Sequence, residues 1–333
     1  MGVPAIHGPA QAGRPGGRLT HLPLTISDSP LLILTADDFG SSPRANAAIL
    51  RAHREGVLAA AGLMVTGEAA AEAITLARQH PTLRVGLHLV LADGRSALGP
   101  DRVPALVDGA GRFPASLVVA GVRYGLRPRA RAQLAEEIAA QFDRFAATGL
   151  PLDHVSGHHH LHLHPAVRDL VLGEAERRGA HGVRVTRDHL RLALRWERRG
   201  LLVRAAHAAI LGELARRWRG AARRRPGAGP ARGEDGGGAR SGKGGGVRHV
   251  ERVYGVLQAG EMTEAYLLWL LEEIPRADAE IFFHPGAERG AMRDGGPDLE
   301  TQALMSPTVR EAIAARGFRT GGYADLAAGA AGA

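Results

Sequence analysis

The chain has 333 residues, 45% of them hydrophobic, and a formal net charge of +8. It has no cysteine, which excludes disulfides and thiolate metal sites and leaves any metal to histidine and carboxylate. Its sequence holds no apolar run near the ~20 residues that a membrane-spanning helix needs. With aromatics at 4%, Leu, Val, Ile and Ala must fill the core.

Residues 1–29 lack the charged start and long apolar stretch of a secretory signal and read as a loose tail, so a cytoplasmic location is expected. Leu31 to Thr35, running into Ala36, Asp37, Asp38, Phe39 and Gly40, is the pattern of a buried strand opening into a loop. Ser42 can cap the next helix with Pro43 at its first position and Gly56 at its end. A short apolar stretch around Gly62–Gly67 follows, then a helix from about Glu68 to His80 that Pro81 stops. "LRVGLHLVL" is a further strand.

Residues 92–127 read as a long irregular segment. The helix after Pro128 places Leu134, Ile138, Phe142 and Phe145 on one face, and Gly149 ends it. "LDHVSGHHHLH" reads as a strand, Pro165 to Arg178 as a helix, and "GVRVTRD" as a strand. Thr263 caps a helix carrying Leu267, Leu270, Leu271 and Ile274. "AEIFFHPG" is a strand, and Ser306-Pro307 opens a last helix ending near Gly317. Strands alternating with helices imply a parallel sheet with helical crossovers, open or closed as a barrel. Active sites in such folds lie at the carboxyl ends of the strands.

One stretch departs from this pattern. Residues 191–225 carry eleven Arg against two Glu, interleaved with Leu192, Leu194, Trp196, Leu201, Leu202, Val203, Ile210, Leu211 and Trp218. A Gly/Arg tract follows whose composition predicts disorder. Residues 191–247 are therefore expected to be an insertion, one or two basic amphipathic helices and then a flexible loop, with a second tail at 327–333. Basic amphipathic helices of this kind lie on anionic membrane surfaces; a solvated segment reflecting coding bias is the alternative.

Chemistry-bearing residues gather at strand ends. Adjacent buried carboxylates are costly without a compensating cation or donors. On an extended backbone Asp37 and Asp38 would point to different sides, one free to bind a cation and the other to move a proton; a helix-capping acid with a solvated neighbour is the plainer reading. His88 interrupts an apolar strand and suits a ligand or a hydrogen-bonded core histidine. Six histidines fall between positions 154 and 164. On a regular strand His154, His158, His160, His162 and His164 share one face and His159 takes the other. Same-face neighbours are ~6.6 Å apart, so at most one or two reach a single ion. His284 ends a strand before a proline and suits a proton donor, a residue supporting the site, or a loop cap. Together these describe a two-histidine, one-carboxylate divalent centre with open positions. A second carboxylate would serve as base in metal-assisted hydrolysis of an acyl or amide bond.

In this order, "TADDFGSSPRANAAILRAHREG", "LMVTG", "VGLHLVL", "HVSGHHHLHLHP" and "FFHPG" resemble the YdjC/ChbG family of carbohydrate deacetylases, over about 31–188 and 252–325. The runs "VRVTRD" and "ERVYGVLQAGEMT" resemble its hopanoid-biosynthesis-associated (HpnK) branch. The resemblance implies a distorted (β/α) barrel of mainly parallel strands, related to polysaccharide deacetylases and formed by residues 30–190 and 248–326. It also implies removal of acetyl groups from N-acetylated amino sugars. By position it gives Asp38, His88 and His158 as metal ligands, Asp37 as the base and His284 at a possible acid position; His160, nearby on the same face, is the alternative acid. The branch implies an N-acetylglucosaminyl hopanoid as substrate; soluble chitooligosaccharides are the alternative. The family is assigned Mg, whereas two imidazoles and one carboxylate suit Zn, Co or Mn. Where family members often carry an acid, this chain has Ser156. A specific nucleic-acid partner is not expected, because the basic residues concentrate in the insertion and aromatics for base stacking are few. A non-catalytic metal-binding protein would not need Asp37 beside Asp38.

Overall fold

The central strand of the protein, β1 (Leu31–Phe39), is buried along its whole length, as its apolar start dictates for a strand covered on both faces. The computed structural model describes residues 29–187, 189–197, 199–223, 242–244, 247–287 and 297–326. After β1 come α1 (Pro43–Glu55), β2 (Ala60–Leu63), α2 (Ala70–Gln79), β3 (Arg84–Leu89), α3 (Leu117–Leu126), α4 (Pro128–Ala147), β4 (His154–Gly157), α5 (Arg168–Arg177) and β5 (Gly182–Val183). The remainder comprises α6 (Leu190–Trp196), α7 (Leu201–Arg223), β6 (Gly242–Gly244), β7 (Val247–His249), β8 (Val253–Tyr254), α8 (Glu264–Glu273), β9 (Ala279–Phe283), α9 (Leu299–Met305), α10 (Pro307–Ala315) and β10 (Arg319–Thr320).

The sheet order is β6-β7-β5-β4-β3-β2-β1-β9-β8, with β10 on the start of β1. Among the strands of the described residues β6 and β7 pair antiparallel; the other ladders are parallel, and a lone antiparallel bridge joins Arg95 and Arg112 outside the sheet. The ladder runs from β6 to β8 without closing among the described residues, giving the expected distorted α/β barrel in an open, half-barrel form. Helix starts follow the sequence. Ser42, Thr263 and Ser306 accept from Ala45, Tyr266 and Val309 backbone N–H groups, each satisfying a donor that the first turn leaves open. Leu134, Ile138, Phe142 and Phe145 are buried on α4 as their spacing requires.

Four local expectations need correction. Residues 92–127 are not irregular throughout: α3 occupies their last third, capped by Ser116. It buries Ala120 and Tyr124 and leaves Leu117, Val118, Val119, Val122 and Leu126 exposed, so it has no apolar stripe of the core-facing kind. The strand expected over 152–162 stops at Gly157, and 158–163 form a 3-10 turn with His159 and His160 in the left-handed region. Of "GVRVTRD" only Gly182–Val183 pairs as strand. The Gly/Arg tract lies mostly outside the described residues, but its Gly242–Gly244 backbone pairs with β7. The expected tails lie outside the described residues too, except Ser29.

The basic segment forms α6 and α7. The carboxyl half of α7 places Leu211, Ala215, Trp218 and Ala222 in the main core, and burying one large apolar side chain is worth roughly 1.5–3 kcal/mol. Arg168 on α5 donates to the Arg217 carbonyl at 3.2 Å. The amino half instead exposes Leu201, Leu202, Val203 and Ile210.

Candidate active site

Asp37 and Asp38 lie at the carboxyl end of β1, where its register with β2 slips. Ala36 pairs with Ala61 and Phe39 with Leu63, so β1 carries one extra residue. Such a bulge re-aims side chains, and Asp38 takes φ 64°. The alternation expected of an extended strand therefore fails, and both acids turn to one imidazole. Asp37 Oδ1 is 3.7 Å from His88 Nδ1, and Asp38 Oδ1 is 3.4 Å from His88 Nε2.

His88 projects from β3 opposite Ser156 on β4, and the Ser156 hydroxyl sits 2.8 Å from its Nδ1. Ser156, where the resemblance implies an acid, thus holds this ring. Gly62 on β2 makes room for the pair: a Cβ there would come 3.1 Å from His88 Cβ and 3.2 Å from Ser156 Oγ. His158, the first residue past β4, places Nδ1 2.9 Å from Asp38 Oδ1 and stands edge-on to His88. One donor atom each from Asp38, His88 and His158 fall within 4.8 Å of one another, and all three residues are buried. One carboxylate oxygen and two imidazole nitrogens in this arrangement fit a divalent ion with positions left for other ligands.

Burial alone would raise both carboxyl pKa values. For Asp37 the charge and hydrogen bond of Arg184, aided by His88, outweigh burial and hold it well below the usual range. For Asp38, His158 and His88 do the same. Arg184 is fully buried. Its Nη1 donates to Asp37 Oδ2 at 2.5 Å, and its Nε and Nη2 donate to Glu280 Oε1 at 3.0 and 2.8 Å. Glu280 also accepts from Thr35 Oγ1 and from the Tyr323 hydroxyl. Asp37 Oδ1 has no hydrogen-bond partner among the described residues, so a buried, ionised oxygen remains available to accept a proton.

The chain's residues 31–315 match the family model described as YdjC-like protein. The chain belongs to the YdjC-like family. It is 47% identical over 148 residues to a carbohydrate deacetylase of Brevibacillus brevis and 40% identical over 160 residues to one of Geobacillus stearothermophilus. Those matches cover 44% and 47% of this chain but only 55% and 61% of the relatives' own length. A chitooligosaccharide deacetylase of Yersinia pestis is 28% identical over 89% of this chain and 98% of its own. A crystal structure from Enterococcus faecalis, of a protein named for cellobiose-phosphate cleavage, shares the fold. Its TM-score is 0.62 at 23% identity, over 90% of this chain and 99% of that one.

The remaining residues of this YdjC-like chain that sequence patterns single out take different places. His154 lies at the start of β4, 3.0 Å from Asp153 and stacked on Tyr323. His160 sits 3.2 Å from the Thr186 hydroxyl and edge-on to Phe282; burial, with His162 and Arg184, lowers its pKa well below the ordinary value. His162 Nε2 donates to the Arg184 carbonyl at 2.8 Å, and burial brings it down to about 3. His164 Nδ1 accepts from the Ala166 backbone N–H. His159 does not point away: its Nε2 lies 3.6 Å from Asp93 Oδ2. His284 follows β9, edge-on to Phe282, close enough for its charge to act on both Asp37 and His160. Arg184 and Glu280 were not among the candidates. Their signal was opposite charges inside two separate apolar runs, "GVRV" and "AEIFF", which a buried sheet tolerates only as a pair.

Proposed function

We propose that the protein is a metal-dependent hydrolase that removes an acetyl group from an N-acetylated amino sugar. The observation that carries this is the convergence of Asp37, Asp38, His88 and His158 at the carboxyl ends of three strands, with Arg184 holding Asp37 ionised. The names of the Brevibacillus, Geobacillus and Yersinia relatives support the substrate class. Asp38, His88 and His158 would hold one divalent ion. When bound, that ion lowers the pKa of water and polarises the acetamide carbonyl.

The protein's own residues do the proton work. Asp37 Oδ1 takes the proton of the attacking water as general base. Arg184 orients that carboxylate through Oδ2, and Ser156 orients His88 through Nδ1. His284 gives a proton to the departing amine; His160 suits this less, because burial keeps its ring neutral. The Asp37→Asn variant is expected to lose turnover while its metal content stays near wild type. Retained turnover would remove Asp37 from the role of base.

The preferred substrate is the N-acetylglucosaminyl headgroup of a hopanoid lipid. The resemblance to the hopanoid-associated branch supports it, as do exposed Leu201, Leu202, Val203 and Ile210 on the amino half of α7, next to the exposed Arg199, which suit peripheral contact with an anionic membrane. Such contact would place the enzyme on the inner face of a cytoplasmic membrane; among the described residues no helix is long and apolar enough to cross one. Soluble chitooligosaccharides are the second reading, favoured by the Yersinia relative's name over nearly the whole chain. Mass spectrometry of the products from an N-acetylglucosaminyl lipid and from chitobiose, watching for loss of an acetyl group, separates the two.

A further inference from the structure

Outside the site described above, a second group of ligand-bearing side chains stands beside it. One donor atom each from Asp93, His158 and His159 lie within 4.8 Å of one another. His158 is common to both groups. The inner one is buried, whereas the outer one opens to solvent, with the Asp93 side chain 58% exposed.

The backbone is bent to make this outer group. Asp93 has φ 48° and His159 has φ 54°. Non-glycine residues in this left-handed region are uncommon. Here two of them face each other, 3.6 Å apart between Asp93 Oδ2 and His159 Nε2. The strand that would have carried the His159 ring away ends at Gly157. The ring instead lies with its centroid 4.1 Å from that of His158. Separate segments supply the two sides: Asp93 follows β3, its N–H held by the Pro114 carbonyl, and His159 follows β4.

We propose that Asp93, His158 and His159 form an outer site for a second divalent cation of the zinc, cobalt or nickel type. Two imidazoles and one carboxylate select such borderline ions over magnesium. Both ions can use His158 together only if its ring loses its N–H proton to solvent and bridges them as an imidazolate, so the second equivalent binds more weakly and slows the enzyme. The site itself stands on its own geometry; only the inhibition rests on the reading of the inner group as the catalytic metal centre.

The test is zinc titration of the full-length protein by calorimetry, with bound metal counted by elemental mass spectrometry after gel filtration. Wild type is expected to bind two zinc ions, the second more weakly. Asp93→Asn and His159→Asn, both tolerant of left-handed backbone, are expected to bind one and to keep wild-type activity at one equivalent. Zinc beyond the first equivalent should inhibit wild type at least tenfold more strongly than either variant. The His88→Asn protein should keep the outer equivalent and lose the inner one. If wild type and both outer variants bind the same number of ions with the same affinities, the outer site is overturned. A single wild-type equivalent that survives His88→Asn but not His159→Asn would uphold the outer site and overturn the inner assignment. Cobalt absorption repeats the comparison where the Asp93 and His159 variants must be shown to fold alike.

Discussion

Arg184 grips Asp37 and Glu280 at once, with three guanidinium nitrogens shared between the two carboxylates and all three side chains buried. A buried cation between two anions leaves an uncompensated charge whenever one member is lost. Arg184→Met is therefore expected to destabilise the fold by roughly 3–5 kcal/mol, read from urea unfolding. Arg184→Lys keeps the charge but cannot reproduce the planar fork that reaches both acids. Asp37 then loses part of what holds its carboxyl low, so the acid limb of the kcat/KM profile should move to higher pH. A loosened base should also cost on the order of 100-fold in kcat. An unmoved acid limb in Arg184→Lys would separate Arg184 from the base.

Ser156 carries the second prediction. Its hydroxyl fixes His88 through Nδ1, the kind of support around a metal-binding ring whose loss costs about 10–100-fold in metal affinity. Ser156→Ala should show that loss in zinc or magnesium titration, with a smaller effect on kcat at saturating metal. Ser156→Asp, whose carboxylate can accept from the same ring nitrogen, should recover affinity. Equal affinities in all three proteins would show that the strand scaffold alone positions His88.

Much of this site was legible because strand ends are legible. The apolar runs before Asp37 and around His88 and His154–Gly157 specify neighbouring parallel strands, and crossover geometry then gathers their carboxyl ends. What the pattern could not show were departures from regular strand. The bulge at Asp37–Asp38 changes which side the acids face, and the left-handed pair His159–His160 turns a row of imidazoles into a cluster. Both are set by tertiary contacts rather than by propensity. The role of Arg184 is hidden in the sequence for a related reason. Its partners are distant in sequence, 147 residues from Asp37 and 96 from Glu280, and only the sheet order brings them together.

The buried histidines predict an acid-sensitive fold. His162 is held neutral, with its pKa down to about 3 against 6.5 for an ordinary histidine. The unfolded chain therefore binds a proton below pH 6.5 that the native protein refuses until about pH 3. Its contribution is fully present above pH 6.5 and is lost as pH falls toward 3, at about 1.4 kcal/mol per pH unit for one proton. His162→Gln should be less stable than wild type at pH 7.5 but show a shallower loss between pH 6.5 and 4.5, above the range where the aspartates titrate. Parallel urea-denaturation curves at four pH values measure the difference. Identical slopes would mean that the His162 ring is protonated in the folded protein.

The amino half of α7 supports the last prediction. Leu202 is 83% exposed, Val203 73% and Ile210 59%, so charging them disturbs little of the core, whereas Trp218, near the other end of the helix, is fully buried and ties α7 to the domain. If this half rests on an anionic bilayer, each of these side chains contributes apolar transfer energy and the exposed Arg199 just before the helix contributes attraction that salt screens. The double variant Leu202→Glu/Val203→Glu should weaken co-sedimentation with phosphatidylglycerol vesicles by ~10-fold or more, since even one lost apolar side chain is worth roughly 1.5–3 kcal/mol. Wild-type binding should fall as salt rises from 50 to about 500 mM, where the Debye length shortens to a few ångströms. Deacetylation of a soluble sugar should be unchanged in the variant, because the substituted residues lie outside the Asp37–His88–His158 site. Vesicle binding that ignores both the glutamates and the salt would remove α7 from any membrane role and leave its exposed apolar half to solvent.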